Sequence, residues 1–286
     1  MQFIDILQQN ATVFYLTVAL LSLCVGSFLN VVIYRLPKIM EMEWQQECHF
    51  YLHPHDQPLE QSKFTLSYPP STCPKCQHQI KWYENIPLIS WAFLLRAKCS
   101  DCKNPISARY PLVELGTMLC SLVVAAHFGP TLETAFGLIF TWVLIALTGI
   151  DFDTQLLPDR LVYPLIGLGL AVNSYSLYIS PTASIWGTLI GFLSLWSVYI
   201  IFKLITGKEG MGYGDFKLLA ALGAWMGTLQ LPLIILLSSL VGAIVGIVLL
   251  KITKENKPFA FGPYLAIAGW IAFLWGDHIM KVYLGG

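Results

Sequence analysis

Two aspartates stand where long apolar runs meet polar ones. Asp151 lies in Gly149-Ile-Asp151-Phe-Asp153-Thr-Gln-Leu-Leu-Pro158-Asp159, and Asp215 lies in Gly210-Met-Gly212-Tyr-Gly214-Asp215-Phe-Lys217. Ionisable side chains at membrane depth are costly, so their presence points to function. Two carboxylates brought together from different segments cannot readily both lose their protons. One can then take a proton from water while the other gives one to a scissile carbonyl. Gly210, Gly212 and Gly214 tolerate backbone shapes that other residues resist, and suit an irregular segment lining a wet substrate cleft beside Asp215. A plainer reading makes Asp215 a helix cap beside Lys217, and Asp151 and Asp153 solvated helix ends.

A second constellation is sulfur-based. Cys73-Pro-Lys-Cys76 and Cys99-Ser-Asp-Cys102 are two Cys-x-x-Cys pairs, with 22 residues between them. Thiolates from two such knuckles can close a tetrahedron around Zn²⁺, with no open position for chemistry, so the metal would be structural. Two disulfides are the alternative, disfavoured if the loop faces a reducing cytoplasm. Cys48, with His49, His53 and His55 nearby, is a much weaker metal pattern. Cys24 and Cys120 sit in apolar stretches and suit packing.

These groups need elements to hold them, and the composition says which. Of 286 residues 56% are hydrophobic and only 12% charged, with seventeen basic residues balancing seventeen acidic ones. That excludes a disordered tail protein and a basic nucleic-acid binder, and leaves too few charges for a soluble enzyme's shell. The expected fold is an all-α polytopic membrane protein. Apolar stretches fall near 12–34, 111–128, 134–150, 161–179, 185–205, 217–229, 231–250 and 259–279, giving about eight transmembrane helices. The 217–229 stretch reaches only about 20 Å, short of a bilayer core of roughly 30 Å. With the N-terminus outside, eight spans place sixteen of the seventeen Lys and Arg on the inner side, leaving Lys281 outside. The expected organisation is a first span over 1–36, a cytoplasmic four-cysteine zinc loop over 37–110 and a seven-span membrane domain over 111–286. No internal repeat is evident.

Taken in order, the motifs resemble the type IV prepilin peptidases, membrane aspartic proteases of the Gly-x-Gly-Asp type. The resemblance covers nearly the whole chain: Gly26-Ser-Phe-Leu-Asn-Val-Val-Ile-Tyr-Arg-Leu-Pro37, the double Cys-x-x-Cys loop and Arg109-Tyr-Pro-Leu-Val-Glu114. It continues with Asp151 to Asp159, Gly212-Tyr-Gly-Asp215-Phe-Lys-Leu and Phe261-Gly-Pro263-Tyr-Leu-Ala. Ala97 departs from a glycine common in the family. The resemblance implies that Asp151 and Asp215 are the catalytic pair, with Asp153 the nearest competitor for the first role. It implies cleavage, after a glycine at the cytoplasmic face of the bacterial inner membrane, of the basic leader of type IV prepilins and type II secretion pseudopilins. N-methylation of the new first residue, usually Phe, by S-adenosylmethionine would follow. Glu114 and the Gly26–Pro37 segment are candidates for the methyl-transfer site, while Glu114 paired with Arg109 would be a structural anchor. A peptidase without methylation, and a transporter using the aspartates as an ion relay, are the competing functions. Transporter sites usually lie near the bilayer midplane, whereas these aspartates lie at helix ends.

Overall fold

The computed structural model describes residues 8–53, 64–88, 90–91, 97–253 and 260–284. Lys63, Arg96, Lys254 and Lys257 of the loop-charge pattern, and His55, lie outside the described residues. Among the described residues eight α-helices follow in order: α1 Ala11–Leu52, α2 Arg109–Phe128, α3 Leu132–Thr154, α4 Asp159–Ser174, α5 Pro181–Thr206, α6 Tyr213–Met226, α7 Leu231–Thr253 and α8 Gly262–Leu284. Six of them are long and apolar enough to cross a membrane; α4 and α6 are shorter. The protein is an all-α, multi-pass membrane protein, as its composition implies.

The chain divides into two compact units, Met1–Pro130 and Thr131–Gly286. The division falls beyond residue 110, where the loop was expected to end, because α2 packs along α1. Gly26 sets that packing: a Cβ there would lie 2.8 Å from the Glu114 Cα. The backbones can approach this closely only through a residue without a side chain. Asn10 caps α1 by accepting from the N–H groups of Thr12 and Val13. The helix does not stop near residue 34 or at 36. It continues past Pro37 to Leu52, 42 residues in all, or about 63 Å, roughly twice the apolar thickness of a bilayer. Its polar extension therefore forms the start of the loop region. From the same helix Asn30 donates to the Tyr110 carbonyl, and Arg35, buried, donates to the carbonyls of Thr65 and Pro69. The Gly26–Pro37 motif thus anchors both ends of the loop.

The second unit is built around α6. Residues Asp215, Phe216 and Leu218 to Met226 are all buried, so this helix is enclosed on every side, as a core helix is. Gly187 and Gly191 of α5 make room for it. A Cβ at Gly187 would overlap the Gly223 carbonyl oxygen, and one at Gly191 would lie 2.7 Å from that of Leu219. This is small-residue packing of the Gly-x-x-x-Gly kind. Opposite, Trp225 donates to the Leu165 carbonyl of α4 at 2.9 Å and stacks near Phe140 of α3.

Polar contacts define the two ends of this unit. At one end Asn173 donates to the Ala224 carbonyl, Tyr178 to that of Glu133, and Gln230 to Asp277. At the other lie the last turn of α3 and the first turns of α4, α6 and α8. The six helices therefore alternate in direction. The short helices α4 and α6 are followed by the segment 175–180 and by Gly227 with the 3₁₀ turn Thr228–Gln230.

Candidate active site and metal centre

Asp151 occupies the last turn of α3 and Asp215 the first turn of α6. They are 4% and 8% exposed, which leaves them shielded yet reachable. The fold brings them within electrostatic reach of one another. Asp151 accepts a hydrogen bond from the backbone N–H of Gly262, the first residue of α8. Asp215 thus lies at the N-terminus of its own helix, where the dipole favours negative charge. Asp151, at the C-terminus of α3, meets the N-terminus of α8 through the Gly262 N–H. Gly212, not Asp215, is the cap residue of α6, and no side chain caps it. The plainer reading of Asp215 as a cap is therefore not met. Asp153 is exposed, as is its neighbour Phe152.

Leu157 ties these pieces together. After Asp151, α3 ends on Gln155 in the left-handed conformation, its N–H bonded to the Asp151 carbonyl at 2.9 Å. The turn then carries Leu157 to a place where a Cβ on Gly214 would lie 2.8 Å from its Cβ, and a Cβ on Gly262 3.1 Å from its methyl groups. A Cβ on Gly262 would also come within 2.6 Å of the Asp151 carboxylate. Leu157 and Gly262 were not legible as site residues: one is an ordinary apolar residue, the other part of a recognised motif with no role attached.

The three cleft glycines behave differently from one another. A Cβ on Gly210 would meet the Phe202 ring at 2.7 Å, and one on Gly212 would meet only the Asp215 carboxylate, at 3.9 Å. Gly212 is extended, with φ −78° and ψ 146°, and none of the three has the positive φ seen at Gly207. The expectation that these glycines supply unusual backbone shapes is corrected. Gly210 and Gly214 are needed for space, and Gly212 leaves an open approach to Asp215.

Cys73, Cys76, Cys99 and Cys102 are all free, with their sulfur atoms within 4.8 Å of one another. The Cys73–Cys102 and Cys76–Cys99 separations are 3.8 and 3.9 Å. A tetrahedron of Zn–S bonds near 2.3 Å requires sulfurs about 3.8 Å apart, so the four thiols fit a metal ion. The two knuckles also repeat one design, which corrects the absence of a repeat. Cys73 N–H bonds the His78 carbonyl and Gln77 N–H the Cys73 carbonyl; Cys99 with Asn104, and Lys103 with Cys99, do the same. Gln77 and Lys103 both have positive φ, and Thr72–Gln79 and Lys98–Pro105 close each loop by a bridge. The short period, Cys73-x-x-Cys-x-x-x-Ile80 and Cys99-x-x-Cys-x-x-x-Ile106, is the signal that could have revealed it. The backbone N–H groups of Cys76 and Lys75 hold the Cys73 thiol down at about 6, favouring the thiolate that binds metal. His78 joins the knuckles, 3.1 Å from the Ser100 hydroxyl and 3.3 Å from buried Glu84. A hydrogen bond from Ser100, then the Lys81 N–H, holds the Glu84 carboxyl below its usual range.

Glu114 is buried in α2, accepts the Leu88 N–H at 2.9 Å and bonds the Ser27 hydroxyl of α1. Leu88 has a positive φ of 58°, a conformation a leucine adopts only when held there. The groups acting on the Glu114 carboxylate are these two and not Arg109. Its geometry is that of an anchor for the turn after the 3₁₀ helix Trp82–Asn85.

The comparisons with known proteins agree with this layout. Residues 20–128 match the bacterial peptidase A24 N-terminal domain, and residues 138–247 match the type IV leader peptidase family. The chain belongs to the type IV leader peptidase family. It is 54% identical to the prepilin leader peptidase/N-methyltransferase of Stutzerimonas stutzeri, over 98% of this chain and 97% of that one. The same identity holds for the protein so named from Pseudomonas aeruginosa, over 99% and 98%. That of Legionella pneumophila is 45% identical over 95% and 94%. No solved structure matches the chain. The family models meet the chain on either side of Pro130, so the two compact units correspond to the two matched regions.

Proposed function

We propose that this protein removes the basic leader of type IV prepilins and type II secretion pseudopilins and then N-methylates the new first residue, usually Phe. The observation that carries the peptidase reading is the meeting of Asp151 and Asp215 at one end of the second unit. Asp151 and Asp215 act as one device. One carboxylate takes a proton from the attacking water while the other donates to the oxygen of the scissile carbonyl. The Gly262 N–H fixes Asp151, and Gly212, with Gly210 and Gly214 packed on either side of it, opens the cleft through which the peptide backbone reaches Asp215. The cut follows a glycine, at the cytoplasmic face of the bacterial inner membrane, with the substrate's apolar helix among the spans.

The cysteine tetrad holds Zn²⁺ and folds the loop within residues 37–110; four sulfur ligands leave no position for catalysis. S-adenosylmethionine supplies the methyl group when bound. Glu114, its carboxylate already engaged by Leu88 and Ser27, serves methyl transfer by holding the loop in place. The membrane domain over 111–286 carries the aspartic site, and the span over 1–36 shares its bilayer setting.

Asparagine at either aspartate tests the reading, because an amide cannot exchange the required proton. Purified Asp151→Asn and Asp215→Asn should be folded and leave a prepilin uncut. Substantial cleavage by either variant would remove that residue from the pair.

A further inference from the structure

Lys217 follows Asp215 by two positions, and residues two apart on a helix do not share a face. Its ammonium points instead to α4, where it meets both Asp159 carboxylate oxygens, at 2.7 and 2.9 Å, and lies over the Tyr163 ring at 5.2 Å. Asp159 opens α4 directly after the 155–158 turn. That turn starts on the Asp151 carbonyl through the Gln155 N–H. In its middle, Leu157 packs against Gly214 and Gly262, the neighbours of the two catalytic carboxylates. The turn is therefore tied to α6 at two points: Leu157 within it and the Lys217–Asp159 ion pair after it. Lys217 is only 23% exposed at its side chain and Asp159 47%, so the pair is partly shielded from the solvent that weakens exposed ion pairs.

We infer that Lys217 is a positioning residue for cleavage: through Asp159 it holds the 155–158 turn, and with it Asp151, in register with the helix that carries Asp215. The inference rests on the aspartate pair being catalytic. Lys217 makes no contact with the reacting atoms in this role. Small displacements of a reacting group can cost about a hundredfold in rate, so a modest ion pair suffices to govern turnover.

The test uses the full chain in detergent or nanodiscs, with a peptide carrying a basic leader, a glycine cut site and an apolar helix. Lys217→Met should lower kcat roughly tenfold or more, with KM within about twofold of wild type and little change in melting temperature. Lys217→Arg keeps the ion pair and should recover most of kcat. Asp159→Asn should fall by a similar factor, and the double variant should be no slower than either single one, as expected of two residues acting through one contact. Wild-type kcat in Lys217→Met, or losses that multiply in the double variant, would overturn the inference. So would losses of kcat matched by equal losses of folded protein in both the Met and Arg variants. A wild-type enzyme that leaves the peptide uncut would instead defeat the aspartic reading itself.

Discussion

Gly212 and Gly214 are neighbours in one motif, yet the structure assigns them different jobs. A methyl group on Gly214 would press on the Leu157 Cβ at 2.8 Å, an atom that rotamer changes cannot move away. Gly214→Ala should therefore destabilise the protein by about 1–3 kcal/mol, the usual cost of overpacking, and slow cleavage with it. Gly212→Ala has room and should melt as wild type does, so any slowing there reports the cleft alone. Melting temperature and cleavage rate measured on both variants check this. Gly262→Ala should be more harmful to turnover than either, because its Cβ would displace the Asp151 carboxylate from 2.6 Å. Asp153→Asn, on an exposed residue, should retain much of the activity in the same assay. At this scale the sequence was readable wherever residue type carries chemistry. Asp151, Asp215 and the four cysteines could be picked out by type and spacing. Leu157 and Gly262 could not, because a leucine and a glycine acquire a role only from what they touch.

At the level of elements, apolar length located each of the eight α-helices among the described residues but not how each would be used. The stretch that became α6 looked too short for a bilayer core; it is the core of its unit, gripped by the glycine face of α5. Gly187→Val should then cost more than an average core substitution, because the obstacle is the Gly223 backbone and not a movable side chain. Thermal unfolding should show a large fall in folded yield for Gly187→Val and little change for Gly167→Ala, where a Cβ meets nothing. Hydropathy could not reveal this packing, since α5 and α6 are apolar on all sides. The knuckles were legible as metal-type pairs, but their shared hydrogen-bond scheme depends on left-handed Gln77 and Lys103, residues without a strong turn signature. Metal analysis of the purified protein should find one zinc ion per chain at this cluster. Changing any of Cys73, Cys76, Cys99 or Cys102 to Ser should lower metal content and folded yield together; zinc retained in all four variants would place the metal elsewhere.

For the whole molecule, the alternating helices put the ends of α3 and α5 and the starts of α4, α6 and α8 on one side of the second unit. Labelling of introduced cysteines should therefore find positions near Gln155 on the inner face, and positions near Pro130, Pro181 and Gln230 on the outer face. The loop-rich first unit and the aspartate-bearing second unit match two separate family regions. The most direct test of the central claim is the intact mass of a prepilin incubated with the purified protein, S-adenosylmethionine and, in parallel, its Asp151→Asn and Asp215→Asn forms. The wild type should remove the leader after a glycine and then add one methyl group, while both variants leave the prepilin at full mass. A leader lost equally in wild type and variants, or retained by all three, would contradict the account.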